Sequence, residues 1–241
     1  MLRSLRHALR MLRNNPGFTL VAIGSLAIGI GFTSASFSIV DMLLLRPMPV
    51  LEPSRVMAVT PAHQGAFGAD SSFSYPDYRD FRDNNRTFDG LIASSFSSFS
   101  FSPDAATLPQ VAFGSFVSGN YFRVLGVQPA FGRAFLDSED RATGRDAVVI
   151  LGHDFWVSQF NANPAVLGSA IRLNGVECTI VGVASRQFNG VNQLVNPALF
   201  VPLAMLPRLD PQNALERRDL RWFLVRVVSS PGSACRKPTR I

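Results

Sequence analysis

The pattern of hydrophobic and polar positions divides the chain into one long apolar segment near the N-terminus and a series of short elements after it. No charged residue occurs from Asn14 to Val40, and the apolar run continues through Asp41 to Leu45. About 20 apolar residues, at roughly 1.5 Å each, cross a hydrocarbon core ~30 Å thick. The pattern therefore predicts a transmembrane helix over residues 18–45, which is long enough to tilt or to extend beyond the bilayer.

Small residues recur at every fourth position of this apolar segment. Close approach of a second helix needs such rows, because small side chains let two backbones come together. We therefore expect two adjoining rows to form a packing face for a partner helix, although Gly and Ala are also common in membrane helices without this role. The rows are Ser25, Gly29 and Thr33, and Ala27, Gly31 and Ala35.

Beyond Pro49, short strands alternate with short helices. The pattern predicts a strand at 55–60, strands at 91–102 and 110–117, and a short helix capped by Ser118. A helix is expected from Ser74 as N-cap to a stop at 88–90, because Pro76 lies early in its first turn. The inward side of that helix is expected to carry Tyr78, Phe81 and Phe88.

A second block starts at Asp146 and completes the predicted fold. Its elements are a buried strand at 147–151, a helix at 153–160, a short helical piece at 165–167, a hairpin turning at Asn174–Gly175, and strands at 199–202 and 222–228. Asn-Gly between alternating hydrophobic residues is a strong hairpin signal. We predict an α+β domain over 46–228 with two subdomains, 50–130 with 220–228 and 131–219, and an irregular tail at 229–241.

The charge distribution predicts the orientation of the apolar segment. The formal net charge is +6, and no acidic residue precedes Asp41. Arginines near one end of a membrane helix place that end in the cytoplasm. A cleaved signal peptide is the alternative, although its apolar region is normally shorter. The leader arginines are Arg3, Arg6, Arg10 and Arg13.

The leader also has a helical pattern, because leucines at positions 2, 5, 9 and 12 repeat the spacing of the arginines one step earlier. Residues 1–17 are therefore predicted as an amphipathic helix at the inner membrane interface, with its arginines at the lipid headgroups. An ordinary basic signal region is the alternative. The rest of the chain is close to charge balance, which gives no indication of nucleic-acid binding.

The residues that carry chemistry in enzymes do not form a recognised catalytic pattern. His153 beside Asp154 is better interpreted as a polar cap at a strand-to-helix corner than as part of a hydrolase triad, since no Gly-x-Ser-x-Gly elbow occurs. Lys237 is the single lysine and lies in the tail, so a phosphate-binding loop is not available. Cys178 and Cys235 belong to no metal-binding or disulfide pattern. The sequence predicts no catalytic, cofactor-binding or metal-binding residue.

Two acidic clusters have structural interpretations. Asp77, Asp80 and Asp83 alternate with arginines at 79, 82 and 86, which predicts a solvated helix face with charge pairs three residues apart. The second cluster, Asp137 with residues 139 and 140, is loop-like and could hold a cation weakly, but it lacks the EF-hand spacing.

Several motifs together resemble one known family. LRHALRMLRNNPGFTLVAIGSLAIGIG followed by LLLRPMP resembles the start of MacB-type ABC transporter permeases. SYPDYRDFRDNNRTFDGL, VSGNYFRVLGVQPAFGRAF and NPAVLGSAIRLNGVECTIVGVA are similar to the periplasmic core domain of that family. The resemblance covers residues 2–228, with the blocks in the family's order.

The resemblance implies a non-catalytic permease subunit of an efflux system in the bacterial inner membrane. In such transporters an ATPase subunit binds ATP, and the permease transmits its closure to the periplasmic domain; exported substrates include drugs, lipoproteins and peptides. It also implies membrane lipid and a second permease copy as partners. Family members continue past RWFLVRVV into further membrane helices, whereas SSPGSACRKPTRI follows here, so we expect a truncated permease. The alternatives are a stand-alone anchored binding or scaffold module and, less favoured, an anchored hydrolase.

Overall fold

The computed structural model describes residues 16–40, 55–61, 72–104, 106–140, 143–192, 196–211 and 215–229. The chain divides into two compact units, residues 1–47 and 48–241, and each is described by itself. In the first unit the described part is helix α1, Pro16–Val40. The predicted end of the membrane segment at 41–45, the leader helix with its four arginines, and the tail beyond residue 229 lie outside the described residues.

Helix α1 is apolar on every side. Its large side chains are exposed all along its length, from Phe18 to Phe37. A helix that is hydrophobic all round needs an apolar environment rather than water. Among the described residues this is the one helix long and apolar enough to cross a membrane, judged by length and composition.

The second unit mixes helices and strands, which confirms the predicted α+β class. Its described α-helices are α2 Tyr75–Asp83, α3 Tyr121–Val124, α4 His153–Phe160 and α5 Leu206–Leu209. Its described strands are β1 Val56–Ala58, β2 Gly90–Ser102, β3 Gln110–Val117, β4 Phe131–Gly132, β5 Val148–Leu151, β6 Ala170–Leu173, β7 Val176–Val183, β8 Leu199–Pro202 and β9 Leu224–Val228.

All of these strands join one sheet in the order β1-β9-β2-β3-β8-β5-β7-β4, and β6 pairs with both β2 and β7. Strands β3 and β8 are parallel, as are β5 and β7, whereas the other pairs are antiparallel. The sheet is therefore mixed. The division into subdomains stays a prediction, since strands from both proposed parts share this sheet.

The two faces of the sheet bury separate hydrophobic clusters. Neighbouring residues of one strand point to opposite faces, and Leu91 and Ile92 of β2 accordingly belong to different clusters, as do Leu199 and Phe200 of β8. The larger cluster contains the buried rings of Tyr78, Phe99, Phe101 and Phe116. The smaller cluster contains those of Tyr121, Phe122, Phe135, Phe188 and Phe200.

Two local predictions are confirmed in detail. Ser74 caps α2 in a capping box, because its hydroxyl accepts from the Asp77 N–H and the Asp77 carboxylate accepts from the Ser74 N–H. The hairpin between β6 and β7 turns at Asn174 and Gly175, which have positive φ values of 49° and 81°. Such values at both central residues are what a type I′ turn requires.

The predicted end of the first domain helix is wrong. Helix α2 stops at Asp83 rather than near residue 88. The Asn85 side chain accepts hydrogen bonds from the backbone N–H groups of Thr87 and Phe88, so a turn replaces the helix. The inward placement of two aromatic residues is also wrong, because Phe81 is 46% exposed and Phe88 is 36% exposed.

The predicted cap at Ser118 is wrong as well. The N-cap of α3 is Asn120, and its side chain makes no capping hydrogen bond. The buried Ser118 hydroxyl instead accepts from the N–H of Ala93 at 3.2 Å, which ties the start of this turn to β2. A serine before a helix pattern therefore satisfies a backbone donor of a neighbouring strand here instead of a donor at the helix terminus.

Candidate functional site

The small residues of α1 lie on two opposite sides of the helix. At roughly 100° per residue, Ser25 and Ala27 are about 200° apart. The row of Ser25, Gly29 and Thr33 lines a shallow groove together with Leu26, Ile30 and Ser34. The row of Ala27, Gly31 and Ala35 faces the other way, which corrects the expectation that the two rows adjoin.

The groove is open and has no unsatisfied hydroxyl along its small row. The Ser25 hydroxyl donates to the Ala22 carbonyl at 3.1 Å, and the Thr33 hydroxyl donates to the Gly29 carbonyl at 2.8 Å. A methyl group added to Gly29 would have nothing within 4 Å beyond its two chain neighbours and the nearby backbone of its own helix. The groove therefore leaves room at Gly29 for a second helix.

The acidic face of α2 is held by a distant arginine. Arg218 donates from Nη1 to Asp77 Oδ1 at 2.9 Å and from Nη2 to Asp80 Oδ2 at 2.6 Å. Arg82 pairs with its neighbour Asp83 at 2.9 Å. The expected pairs three residues apart along the helix are therefore wrong, and the actual pairs fix the 215–222 segment onto α2.

A charged cleft opens beside this face of α2. Its volume is about 350 Å³, and its walls come from α2, from residues at the start of and within α3, from residues 137, 140 and 143, and from Glu216. It is lined by Tyr75, Arg79, Arg82, Asp83, Asn120, Arg123, Asp137, Asp140, Thr143 and Glu216. Its lining carries three arginines and four carboxylate side chains, and we call it the charged cleft.

Asp140 forms a fixed part of the cleft wall. Its Oδ2 accepts from the Gly119 N–H at 2.9 Å, and a methyl group added to Gly119 would lie 2.5 Å from the Asp140 Cβ. Its Oδ1 is shielded from water and has no hydrogen-bond partner among the described residues. Burial raises the pKa of the Asp140 carboxyl, although the N–H groups of Gly119 and Ala204 act in the opposite direction.

The acidic cluster at 137–140 does not converge on one point. Asp137 accepts from Arg123 at 3.1 Å, and the buried Glu139 accepts from both terminal nitrogens of Arg133 and from the Leu136 N–H. Because these carboxylates face separate partners, the weak cation site considered from the sequence is not formed. Among the described residues no group of three or more His, Cys, Asp or Glu side chains could hold a metal ion.

His153 lies at the predicted strand-to-helix corner, but the expectation that it caps the helix is wrong, because the N-cap is Gly152 and no side chain makes a capping hydrogen bond there. His153 begins α4 directly after β5 and lies edge-on to the Trp156 ring at 5.7 Å. Its Nδ1 is 3.4 Å from Asp154 Oδ1, and Asp154 Oδ2 accepts from the Asn196 amide at 2.8 Å. These contacts fix the corner between the strand and the helix.

Asp140→Asn is expected to change how stability depends on pH. A carboxyl whose pKa is raised by folding binds its proton more tightly in the folded state, so its contribution is lost as pH rises above its ordinary value. The unfolding free energy of the native chain minus that of the variant should therefore become more negative as the pH rises above about 4. Urea unfolding at several pH values measures this difference, and a constant difference would contradict the prediction.

The fold is similar to that of two solved structures. The periplasmic region of MacB from Actinobacillus actinomycetemcomitans is 16% identical, with a TM-score of 0.58 over 80% of this chain and 82% of that chain. The extracellular domain of the noncanonic ABC-type transporter YknZ from Gram-positive bacteria is also 16% identical, with a TM-score of 0.53 over 73% of this chain and 84% of that chain. At this identity the likeness shows the fold.

The sequence itself identifies the family. A sequence model of the MacB-like periplasmic core domain matches residues 19–233, and no curated protein matches the chain. The chain therefore belongs to the family of MacB-like periplasmic core domains, which confirms the resemblance found in its motifs. The match begins inside α1 and continues through the whole sheet.

The charged cleft was missed by sequence reasoning. Its wall residues lie up to 141 positions apart, counting from Tyr75 on α2 to Glu216. The alternation of acidic residues and arginines on α2 predicts a charged helix face. No pattern in the sequence indicates that this face forms ion pairs with Arg218. The leader arginines predicted at the membrane interface stay a prediction, as does the packing role of Ser25, Ala27, Gly29, Gly31 and Ala35.

Proposed function

We propose that this chain is a non-catalytic permease subunit of an ABC-type exporter. An ATPase subunit in the cytoplasm would bind ATP, and this chain would transmit its closure to the sheet domain outside the membrane. The observation that carries the proposal is the single family match from residue 19 to 233, because it joins the apolar helix and the sheet domain in one family unit. Two similar domains come from proteins named as MacB and as an ABC-type transporter.

The same proposal sets location and partners. The N-terminus would lie in the cytoplasm, α1 in the bacterial inner membrane and the sheet domain in the periplasm, as the leader arginines favour. The single lysine at position 237 supports an ATP site on the partner rather than on this chain. Membrane lipid and a second permease copy would surround α1.

Purification of the tagged full chain from the membranes of its own host tests the ATPase partnership. We expect an ABC ATPase subunit to co-purify in mild detergent, and its ATP hydrolysis rate to differ between the complex and the isolated ATPase. Recovery of the chain without any ABC ATPase would contradict the permease proposal.

The charged cleft favours a second candidate, a membrane-anchored binding or scaffold module. Such a module would hold a ligand outside the membrane and would need no ATPase. The purification just described separates the two candidates, since only the permease requires the ATPase to be present.

Gly29→Leu is expected to weaken the association of two copies of the chain about tenfold, because a leucine closes the groove that another helix would enter. A Cβ at this position has nothing within 4 Å beyond its two chain neighbours and the nearby backbone of its own helix, so the substitution should act mainly on contact between chains. Co-purification of two differently tagged full chains from membranes measures it.

Ile23→Leu is the matched control, because Ile23 is 63% exposed and belongs to neither small-residue row. This substitution should leave the association unchanged. Equal association of the Gly29 and Ile23 variants would show that the groove is not the contact, and Gly31→Leu then tests the opposite side of the helix.

A further inference from the structure

We propose that the charged cleft binds a small amphoteric ligand, a molecule of amino-acid size that carries both a carboxylate and an ammonium or guanidinium group. This binding goes beyond the proposed permease function, because it requires neither ATP nor transport. The cleft volume of about 350 Å³ lies at the lower end of the range for ligand pockets. A small polar molecule therefore fits it better than a drug-sized one.

The charge pattern of the lining selects the ligand class. Three guanidinium groups and four carboxyl groups surround the cleft, and the Tyr75 ring is its one aromatic surface. A polyanion would be repelled by the carboxylates, and a polycation by the arginines. An apolar molecule would remove these charges from water without replacing their hydrogen bonds. A small ligand that carries charges of both signs matches both sets.

The arginines of the cleft keep N–H donors that are available to such a ligand. The Arg79 guanidinium makes no hydrogen bond or ion pair with the described residues. Arg123 uses Nη2 on Asp137, and Arg82 uses Nε on Asp83, so each retains further N–H donors. These donors suit a carboxylate, which arginine binds in a forked arrangement.

The acceptor for the positive end is Asp140. Its Oδ1 lacks a hydrogen-bond partner although it is shielded from water, and leaving a buried acceptor unpaired is unfavourable. A reorientation of the Asp140 carboxylate alone, with the backbone of the wall unmoved, would present this oxygen to an ammonium or guanidinium group in the cleft. The cleft thus offers arginine donors from α2 and α3 for the negative group of the ligand and the Asp140 carboxylate for its positive group.

The walls of the cleft are held in place before any ligand arrives. The Arg218 fork fixes the segment that carries Glu216 onto α2, and the bond from Gly119 to Asp140 fixes the 137–140 turn against the start of α3. Tyr78 adds a contact beneath the cleft, because the Arg82 guanidinium lies over its ring at 5.7 Å. A site already in place loses less affinity to ordering on binding.

Calorimetric titration of the full chain in detergent micelles tests the ligand class. L-arginine is the amphoteric probe, agmatine is its counterpart without the carboxylate, and succinate carries carboxylates without a cation. We expect L-arginine to bind at least about tenfold more tightly than either control, because each lost charge-assisted contact weakens binding by about that factor. No binding of L-arginine, or equal binding of all three probes, would overturn the proposal.

Two variants locate the binding. Arg79→Gln and Asp140→Asn should each weaken L-arginine binding about tenfold, whereas Arg186→Gln, an exposed arginine outside the cleft, should not. Unchanged binding in both cleft variants would place the ligand elsewhere and contradict the proposal. The titration with L-arginine does not depend on the ATPase purification. The ligand proposal can therefore be contradicted while the permease proposal stands, and the reverse is also true.

Discussion

Replacing Phe122 with alanine is expected to lower the free energy of unfolding of the sheet domain by about 3–5 kcal/mol. Phe122 is completely buried, and its ring packs against four others, with centroids 5.3–5.8 Å away. The substitution leaves a cavity inside the smaller cluster that the surrounding rings cannot fill by simple collapse. Since a domain is stabilised by about 5–15 kcal/mol in total, this loss is a large share of the stability of the sheet domain.

Phe113→Ala is the control for this experiment. Phe113 is 54% exposed and stacks on Phe96 with a centroid distance of 5.8 Å, so its loss should cost about 1 kcal/mol or less. Urea unfolding followed by tryptophan fluorescence gives both values, because Trp156 and Trp222 belong to or contact the larger cluster. Similar values for the two variants would show that the cluster around Phe122 is not a fixed core.

The activity of a reporter enzyme fused to the chain should depend on whether the fusion point lies before or after α1. Alkaline phosphatase fused after Ile241 is expected to be active, because that enzyme folds only outside the cytoplasm, and the same enzyme fused after Arg13 is expected to be inactive. The physical reason is the excess of arginine before α1. Fusion at the C-terminal end avoids interrupting β9, whose last residue Val228 pairs with both β1 and β2. The reverse pattern would invert the proposed orientation.

The molecular mass of the fusion after Ile241 distinguishes a membrane anchor from a cleaved signal peptide. An anchored chain stays at full mass and remains in the membrane after extraction at alkaline pH. A chain cleaved after α1 becomes shorter and is released. Retention of the full-length fusion in the membrane is the expected result.

Local patterns predicted much of the fold because they depend on neighbouring residues alone. The capping box at Ser74, the positive φ values at Asn174 and Gly175, and the helix at 153–160 each follow from chemistry within a few positions. Predictions failed where a distant contact decided the outcome. The sequence predicts Ser118 as a helix cap, but its hydroxyl accepts a hydrogen bond from the Ala93 N–H of β2.

The candidate site was harder to predict than the fold. The charged cleft depends on Arg218 reaching α2 from more than a hundred residues away, and on Asp140 meeting the backbone of Gly119. Neither contact has a sequence signature without related sequences. The small residues of α1 can be recognised in the sequence. Their arrangement on two opposite sides follows from the rotation of roughly 100° per residue in an α-helix.

The pairing of β2 gives the sheet domain different strength in different directions. Strand β2 pairs with β3 from Ser94–Val117 to Phe101–Gln110, and its other edge pairs with β9 and β6. Antiparallel hydrogen bonds lie perpendicular to the strands. A pull along β2 therefore strains all of these bonds together in shear, whereas a pull across the sheet opens them one pair at a time, like a zipper. The domain should resist stretching along this strand far better than peeling from its edge.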